Sequence, residues 1–246
     1  MIEKTPTGIA GLDEMLNGGI PKGRIILVTG GPGAGKSILC TQFLVNGIKK
    51  YGENSVFVFL GENKQHFYEE MAAVGMNLVE LENQGRLAFL DASIIRMIPA
   101  EVTVGGLSIG KREFSMLSLL DQVRDAVKSV NAKRVVIDPI SSFILSYPNE
   151  HERRMALLDI LTYLMNNKTT CFITSELRNL GLDREIETEE YVAQGAIVLQ
   201  TLKIGKNLTR TILVEKLRGS AHDNQPRPYR ITNNGIEVLA RETILI

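Results

Sequence analysis

Gly30-Gly31-Pro32-Gly33-Ala34-Gly35-Lys36-Ser37 satisfies the pattern G-x-x-x-x-G-K-[ST]. Glycines in such a turn let the backbone curl around phosphate oxygens with no Cβ in the way. The surroundings fit the same reading. Arg24-Ile25-Ile26-Leu27-Val28-Thr29 is rich in β-branched residues and reads as a buried strand, and residues 38–51 read as a helix. A strand, a glycine turn and a helix N-terminus aim backbone N–H groups and a positive dipole end at an anion. Gly31, Pro32, Gly33, Ala34, Gly35 and Ile38 would then line the phosphates. Lys36 would reach the β- and γ-phosphates, and the Ser37 hydroxyl would ligate Mg2+.

Outward from this turn, strands and helices alternate. Residues 55–60 and 86–90 read as short strands. Residues 64–74 have helical spacing, with Phe67, Met71 and Val74 apolar, and stop at Gly75. Residues 114–130 and 152–165 read as helices, the second with Leu157, Leu158, Leu161 and Leu164 as its apolar set. Val135-Val136-Ile137-Asp138 is a strand ending in an acid, and 169–174 is another strand. Residues 8–23 form a glycine-rich lead-in, 91–112 an irregular stretch suited to a hairpin or a mobile loop, with 95–111 readable as a partner-facing loop or a structural hairpin, and 177–190 an exposed charged stretch. From Ala196 three or four strands follow with no long helix between them. This order predicts one α/β domain over residues 1–246: a mostly parallel, doubly wound sheet flanked by helices, with an antiparallel C-terminal β extension. Ligands bind at the carboxyl ends of such strands. The glycine turn, Glu62, Asp138 and Ser175 are expected there.

Asp138, closing an apolar strand about 100 residues after the P-loop, has the form of an acid that holds Mg2+ directly or through water. Glu62 ends the second strand, expected beside the P-loop, where a carboxylate orients and deprotonates an attacking water. Lys216-Leu217-Arg218-Gly219-Ser220-Ala221-His222 follows a late strand. Its two cations suit a γ-phosphate clamp, and equally an exposed basic strand end. His66 and His151 have no ligand-type neighbours in sequence and read as surface histidines. Cys40 and Cys171 lie in apolar segments and read as reduced core thiols. Lys+Arg and Asp+Glu are both 28, so no global charge draws the chain to nucleic acid or an anionic membrane. The first residues lack the apolar core of a signal peptide, and no apolar run is long enough to span a bilayer. A soluble, cytoplasmic protein is expected.

Together these residues resemble the KaiC branch of the RecA/RadA superfamily, nearly end to end. Thr7-Gly8-Ile9-Ala10-Gly11-Leu12-Asp13 and Gly18-Gly19-Ile20-Pro21-Lys22-Gly23-Arg24 are similar to the lead-in to the P-loop in KaiC and RadA proteins. Residues 216–222 resemble the KaiC-type K-[LM]-R-G-x-x-H motif, and Tyr191-Val192-Ala193-Gln194-Gly195 the stretch before a late strand. The resemblance implies a RecA-like P-loop NTPase and a hexameric ring with ATP and Mg2+ between neighbouring subunits. It implies that the P-loop, Glu62 and Asp138 come from one subunit, while Lys216 and Arg218 reach in from the next, Arg218 as an arginine finger. It also implies nucleotide contacts by Leu217, Ser220, His222, Thr232 and Asn233.

The chain departs from the family in places. It has one lobe where KaiC has two. Gly61-Glu62 stands where paired glutamates are common, which implies slow hydrolysis. Pro139 stands where Ser is usual. Glu190 and Tyr191 stand where the self-phosphorylating lobe carries Ser and Thr, which speaks against the same autokinase cycle. The resemblance favours a ring-forming ATPase with a regulatory role and a protein partner yet to be named. A RadA-like recombination ATPase is the alternative, though such proteins add an N-terminal DNA-binding domain, and about 25 residues before the first strand are short for one. A nucleotide-gated scaffold is the third reading.

Overall fold

The computed structural model describes residues 2–61, 63–92, 101–104, 107–141, 150–176, 188–204 and 206–244. The chain opens with a two-stranded ribbon, β1 (Lys4–Thr5) and β2 (Ile20–Pro21), around a short helix, α1 (Leu12–Met15). β3 (Ile25–Gly30) then leads through the glycine turn into α2 (Lys36–Tyr51). β4 (Ser55–Phe59), α3 (Lys64–Ala73), α4 (Leu78–Asn83) and β5 (Leu87–Asp91) follow. A hairpin of β6 (Glu101–Val104) and β7 (Leu107–Gly110) precedes α5 (Lys111–Ser129) and β8 (Arg134–Asp138). Next come α6 (Glu150–Asn166), β9 (Thr170–Glu176) and α7 (Thr188–Val192). The last strands are β10 (Gly195–Ile204), β11 (Asn207–Leu217), β12 (Arg227–Thr232) and β13 (Gly235–Val238).

Nine strands form one sheet in the order β13-β12-β11-β10-β3-β9-β8-β4-β5. From β10 to β5 every pairing is parallel, and β11, β12 and β13 add antiparallel strands at one flank. β3 is buried along its whole length because it lies mid-sheet with helices over both faces. Alternation divides its side chains. Ile26 and Val28, with Phe57, Val136 and Phe172, join the layer that contains α1 to α4 and the C-terminal strands. Ile25 and Leu27, with Val56, Val135, Ile137 and Ile173, join the layer of α5 and α6. Phe43 of α2 stacks on Phe172 of β9 with ring centroids 4.2 Å apart, which ties the P-loop helix to the sheet.

The strand order corrects one expectation. β4 is not the neighbour of β3, because β9 and β8 stand between them. The chain crosses over from β3 through α2 and leaves a gap two strands wide that later segments fill. No local residue pattern encodes that skip. The lead-in at residues 8–23 holds α1 and one strand of the ribbon rather than turns alone. The sequence reading also passed over α4, although Asn77 accepts the Glu80 N–H at 3.2 Å, and an Asn three residues before a Glu is a helix-start signal. The stretch 177–190 is not exposed throughout: Glu190 is 6% exposed, and residues 177–187 lie outside the described residues. Both cysteines are buried free thiols, and burial pushes their pKa values up. His66 and His151 are exposed.

Arg134, the first residue of β8, is wholly buried under the C-terminal half of α2. Its Nε donates to Glu53 at 2.7 Å and its Nη1 to the Phe43 carbonyl at 2.9 Å. The guanidinium lies 4.6 Å from the Phe43 ring centroid and 5.2 Å from that of Tyr51. Burial lowers its pKa, and Glu53 opposes that shift. This group needs the space beside Gly47, where an added Cβ would run into Arg134 Cδ and Nε. Alanine is a better helix former than glycine by about 1 kcal/mol. Here the order is expected to reverse, with Gly47→Ala destabilising the fold by about 1–3 kcal/mol through overpacking. Thermal unfolding followed by circular dichroism reads the sign directly.

Candidate functional site

The glycine turn is built to receive an anion. Gly35 caps α2 in the left-handed region (φ 90°), a conformation that side chains resist. No side chain caps the N-terminus of α2, and its first turn carries no acid. Its leading N–H groups therefore have no side-chain competitor for a ligand oxygen. Lys36 Nζ donates to the carbonyls of Gly30 at 2.8 Å and Gly31 at 3.2 Å. Burial pulls the Lys36 pKa down, while the carboxylates of Asp138 and Glu176 act in the opposite direction.

Strand register assembles the acid beneath this turn. Val28 is level with Thr174, and Ile137 with Ile173, so Thr174 and Asp138 sit side by side on neighbouring parallel strands. By alternation both share the face of Phe172 and Val136, the face that α2 covers. Asp138 is 4% exposed and accepts hydrogen bonds from the hydroxyls of Ser37 and Thr174. Burial pushes its pKa up; the two hydroxyls and Lys36 hold it down. A serine hydroxyl and a carboxylate at the phosphate end of the helix are hard oxygen donors. They suit Mg2+, which takes one or two protein oxygens together with phosphates. Among the described residues no group of three or more His, Cys, Asp or Glu makes a separate metal cage, and no helix is long and apolar enough to cross a membrane.

Glu62 lies outside the described residues. The chain approaches it from Leu60, whose N–H donates to the Asp138 carbonyl at 2.8 Å. The Phe59 ring fills the space beside Gly61 that a Cβ would need, so this strand end has no room for a further side chain there.

The remaining candidate residues fall in two places. Thr232 ends β12 and Asn233 begins the two-residue turn into β13. Thr232 Oγ1 bonds the Gly235 carbonyl and the Asn234 N–H. β12 passes Gly30 at the level of Arg227, and the hairpin then folds over α2, so that the Asn233 carbonyl lies beside Gly75 and Thr232 and Asn234 line a cavity with Gln42, Lys50 and Tyr51. Lys216, Leu217 and Arg218 lie at the end of the sheet away from the P-loop. Leu217 pairs with Gly195, which pairs with Ile26, four residues of strand or about 13 Å before Gly30. Lys216 Nζ donates to the Glu190 carbonyl at 2.6 Å, and burial and Arg218 lower its pKa. Arg218 is exposed, whereas the Leu217 side chain is 6% exposed within the core. Ser220 and His222 are half-buried, and His222 Nδ1 lies 3.2 Å from the Ser220 carbonyl. Thr174, Glu176 and Tyr229, whose hydroxyl donates to the Ala34 carbonyl, join the site and were not singled out in sequence.

The family model described as "ATPase: KaiC" matches residues 5–243. A UPF0273 protein of Methanocaldococcus jannaschii is 33% identical over 244 residues, covering 96% of each chain. The circadian clock protein KaiC2 of Synechocystis is 32% identical over 243 residues, which are 99% of this chain and 41% of that one. The chain thus spans less than half of the clock proteins it matches, and nearly all of the shorter relative. A crystal structure of a KaiC-like protein from Pyrococcus horikoshii superposes with a TM-score of 0.81 at 33% identity, covering 97% of this chain and 99% of that one.

Thr174→Val removes one of the two hydroxyls that oppose the burial-driven rise in the Asp138 pKa. A proton then competes better with a metal for the carboxylate. The Mg2+ concentration for half-maximal binding of a fluorescent ATP analogue is expected to rise about three- to ten-fold, and further as pH falls.

Proposed function

The chain belongs to the KaiC family of ATPases, and from that premise we propose that it binds ATP with Mg2+ and hydrolyses it slowly at the interfaces of a closed ring of identical subunits. The observation that carries the chemistry is the Ser37–Asp138–Thr174 cluster under the uncapped N-terminus of α2. The main chain of Gly31, Pro32, Gly33, Ala34, Gly35 and Ile38 cradles the phosphates. Lys36 exchanges its carbonyl contacts for β- and γ-phosphate oxygens. Ser37 and Asp138 are the residues that would hold Mg2+, which would supply neutralisation of the charge developing on those oxygens. Glu62 orients the attacking water and takes its proton. With glycine at 61 there is one carboxylate for that task, which supports a slow reset rather than rapid turnover. Slow turnover in turn supports a regulatory role with a protein partner, the ATP-bound ring being the recruiting form.

The two-ended layout supports the ring. Lys216 and Arg218 lie at the sheet edge away from their own P-loop and are unable to reach its γ-phosphate. A head-to-tail neighbour brings that edge to the next P-loop, and repetition of such a contact gives a ring where the rotation closes, a hexamer by family resemblance. Thr232 and Asn233 contact the nucleotide as the family resemblance implies. Leu217, Ser220 and His222 do so from the neighbour, Leu217 through its main chain.

Two mutants and their mixture test this. Arg218→Ala is expected to keep ATP binding and lose about 10³-fold or more in turnover, as for removal of an arginine finger. Lys36→Ala is expected to lose binding. An equal mixture of the two, reassembled, pairs an intact P-loop with an intact finger at about a quarter of its interfaces, so activity should return toward that fraction. Additive, near-zero activity in the mixture would overturn the shared site. Phosphate release measured with and without single-stranded DNA completes the test. Indifference to DNA is expected, and strong stimulation would move the chain to recombination.

A further inference from the structure

The C-terminal hairpin is fastened to the phosphate cradle at two points, and neither belongs to the residues proposed to touch nucleotide. The Tyr229 hydroxyl, on a side chain 3% exposed, donates to the carbonyl of Ala34 inside the glycine turn. Gln42, on the second turn of α2, pairs with the main chain of Ile236 in both directions. Its Nε2 donates to the Ile236 carbonyl at 3.1 Å, and its Oε1 accepts the Ile236 N–H at 2.7 Å. Between these anchors the tips of Ile231 and Ile236 occupy the space beside Gly35, at 3.1 and 3.3 Å from where a Cβ would stand.

The peptide joining Ala34 to Gly35 is the consequential one. A trans peptide is planar, with its carbonyl and its N–H pointing in opposite directions. A donor that holds the Ala34 carbonyl outward therefore turns the Gly35 N–H inward, toward the phosphates. Glycine at 35, in the left-handed region, has no side chain to hold that plane by itself. Burial pushes the Tyr229 pKa up to about 12, so the hydroxyl stays protonated and donating throughout the neutral range.

We propose that Tyr229 is a positioning residue for the phosphate cradle, fixing the Ala34–Gly35 peptide so that the Gly35 N–H is aimed at nucleotide phosphate before binding. This rests on the reading of the chain as an ATP-binding protein. Preorganisation of this kind acts on the binding of any nucleotide with a β-phosphate and leaves the hydrolytic groups in place.

The test is Tyr229→Phe in the full chain, which keeps the ring and removes the hydroxyl. The control is Thr5→Val, which removes another buried hydroxyl contact, Thr5 Oγ1 to Thr170 Oγ1 at 2.9 Å, remote from the P-loop. Kd for ATP·Mg2+ and for ADP, the melting temperature and kcat at saturating ATP are measured for both. For Tyr229→Phe the expected result is a rise in both Kd values of about ten-fold with kcat within about two-fold of the parent. Thr5→Val is expected to lower the melting temperature and leave Kd unchanged. An unchanged Kd in folded Tyr229→Phe overturns the proposal, as does an equal Kd rise in Thr5→Val. Loss of kcat with Kd intact overturns it too, because that is the mark of a lost active fraction. If the parent chain binds no nucleotide, the functional reading itself fails, an outcome distinct from any of these.

Discussion

The first turn of α2 packs over the carboxyl ends of β3, β9 and β8, and the rest of the site depends on that contact. It brings Lys36 and Ser37 down onto the face where Asp138 and Thr174 point. A buried carboxylate in an apolar sheet is costly unless it is hydrogen-bonded. Ser37 and Thr174 supply those bonds, and Lys36 supplies a nearby positive charge. The arrangement is stable as protein structure and is also the donor set that a magnesium-bound triphosphate requires. Phe43 stacked on Phe172 keeps the helix from sliding along the sheet, so the register of hydroxyl and carboxylate is held by packing a full two turns away.

The other end of the sheet is organised around a different buried charge. Arg134 starts the strand that Asp138 ends, and its guanidinium is enclosed by Glu53, the Phe43 carbonyl and two aromatic rings. One five-residue strand thus carries a cation at the edge away from the phosphates and an anion at the edge beside them. Both are held by α2, which spans the same distance on the face above. Gly47 at one end of that helix and Gly35 at the other are required for different reasons: the first makes room for a guanidinium, the second adopts a left-handed turn.

Separation of function along the strands also gives the proposed assembly its logic. The residues proposed to bind phosphate and metal sit at one edge, and Lys216 and Arg218 at the opposite one, so in that proposal a single subunit holds two half-sites facing in different directions. A ring of such subunits makes hydrolysis conditional on assembly. The β12–β13 hairpin stands between these functions, since it continues from the strand that carries the cations and fastens onto the glycine turn through Tyr229 and Gln42.

Much of this was legible locally. The glycine turn between a β-branched strand and a helix, the acid closing residues 135–138, and the late run of strands are short-range patterns whose physics lies within about ten residues. They determined a phosphate-binding α/β domain and most of its helices and strands. The departure at Gly61 and the family-like Lys216–His222 stretch were equally readable as residues. What only the tertiary structure decided depends on register between distant segments. That β8 and β9 insert between β3 and β4 follows from where crossovers leave gaps, which no residue encodes. That Thr174 bonds Asp138, that Tyr229 bonds Ala34, and that Lys216 lies beyond reach of its own P-loop are consequences of strand pairing. Sequence names the chemically able groups; which of them meet is set by the parallel pairings of the sheet, which join residues far apart in the chain.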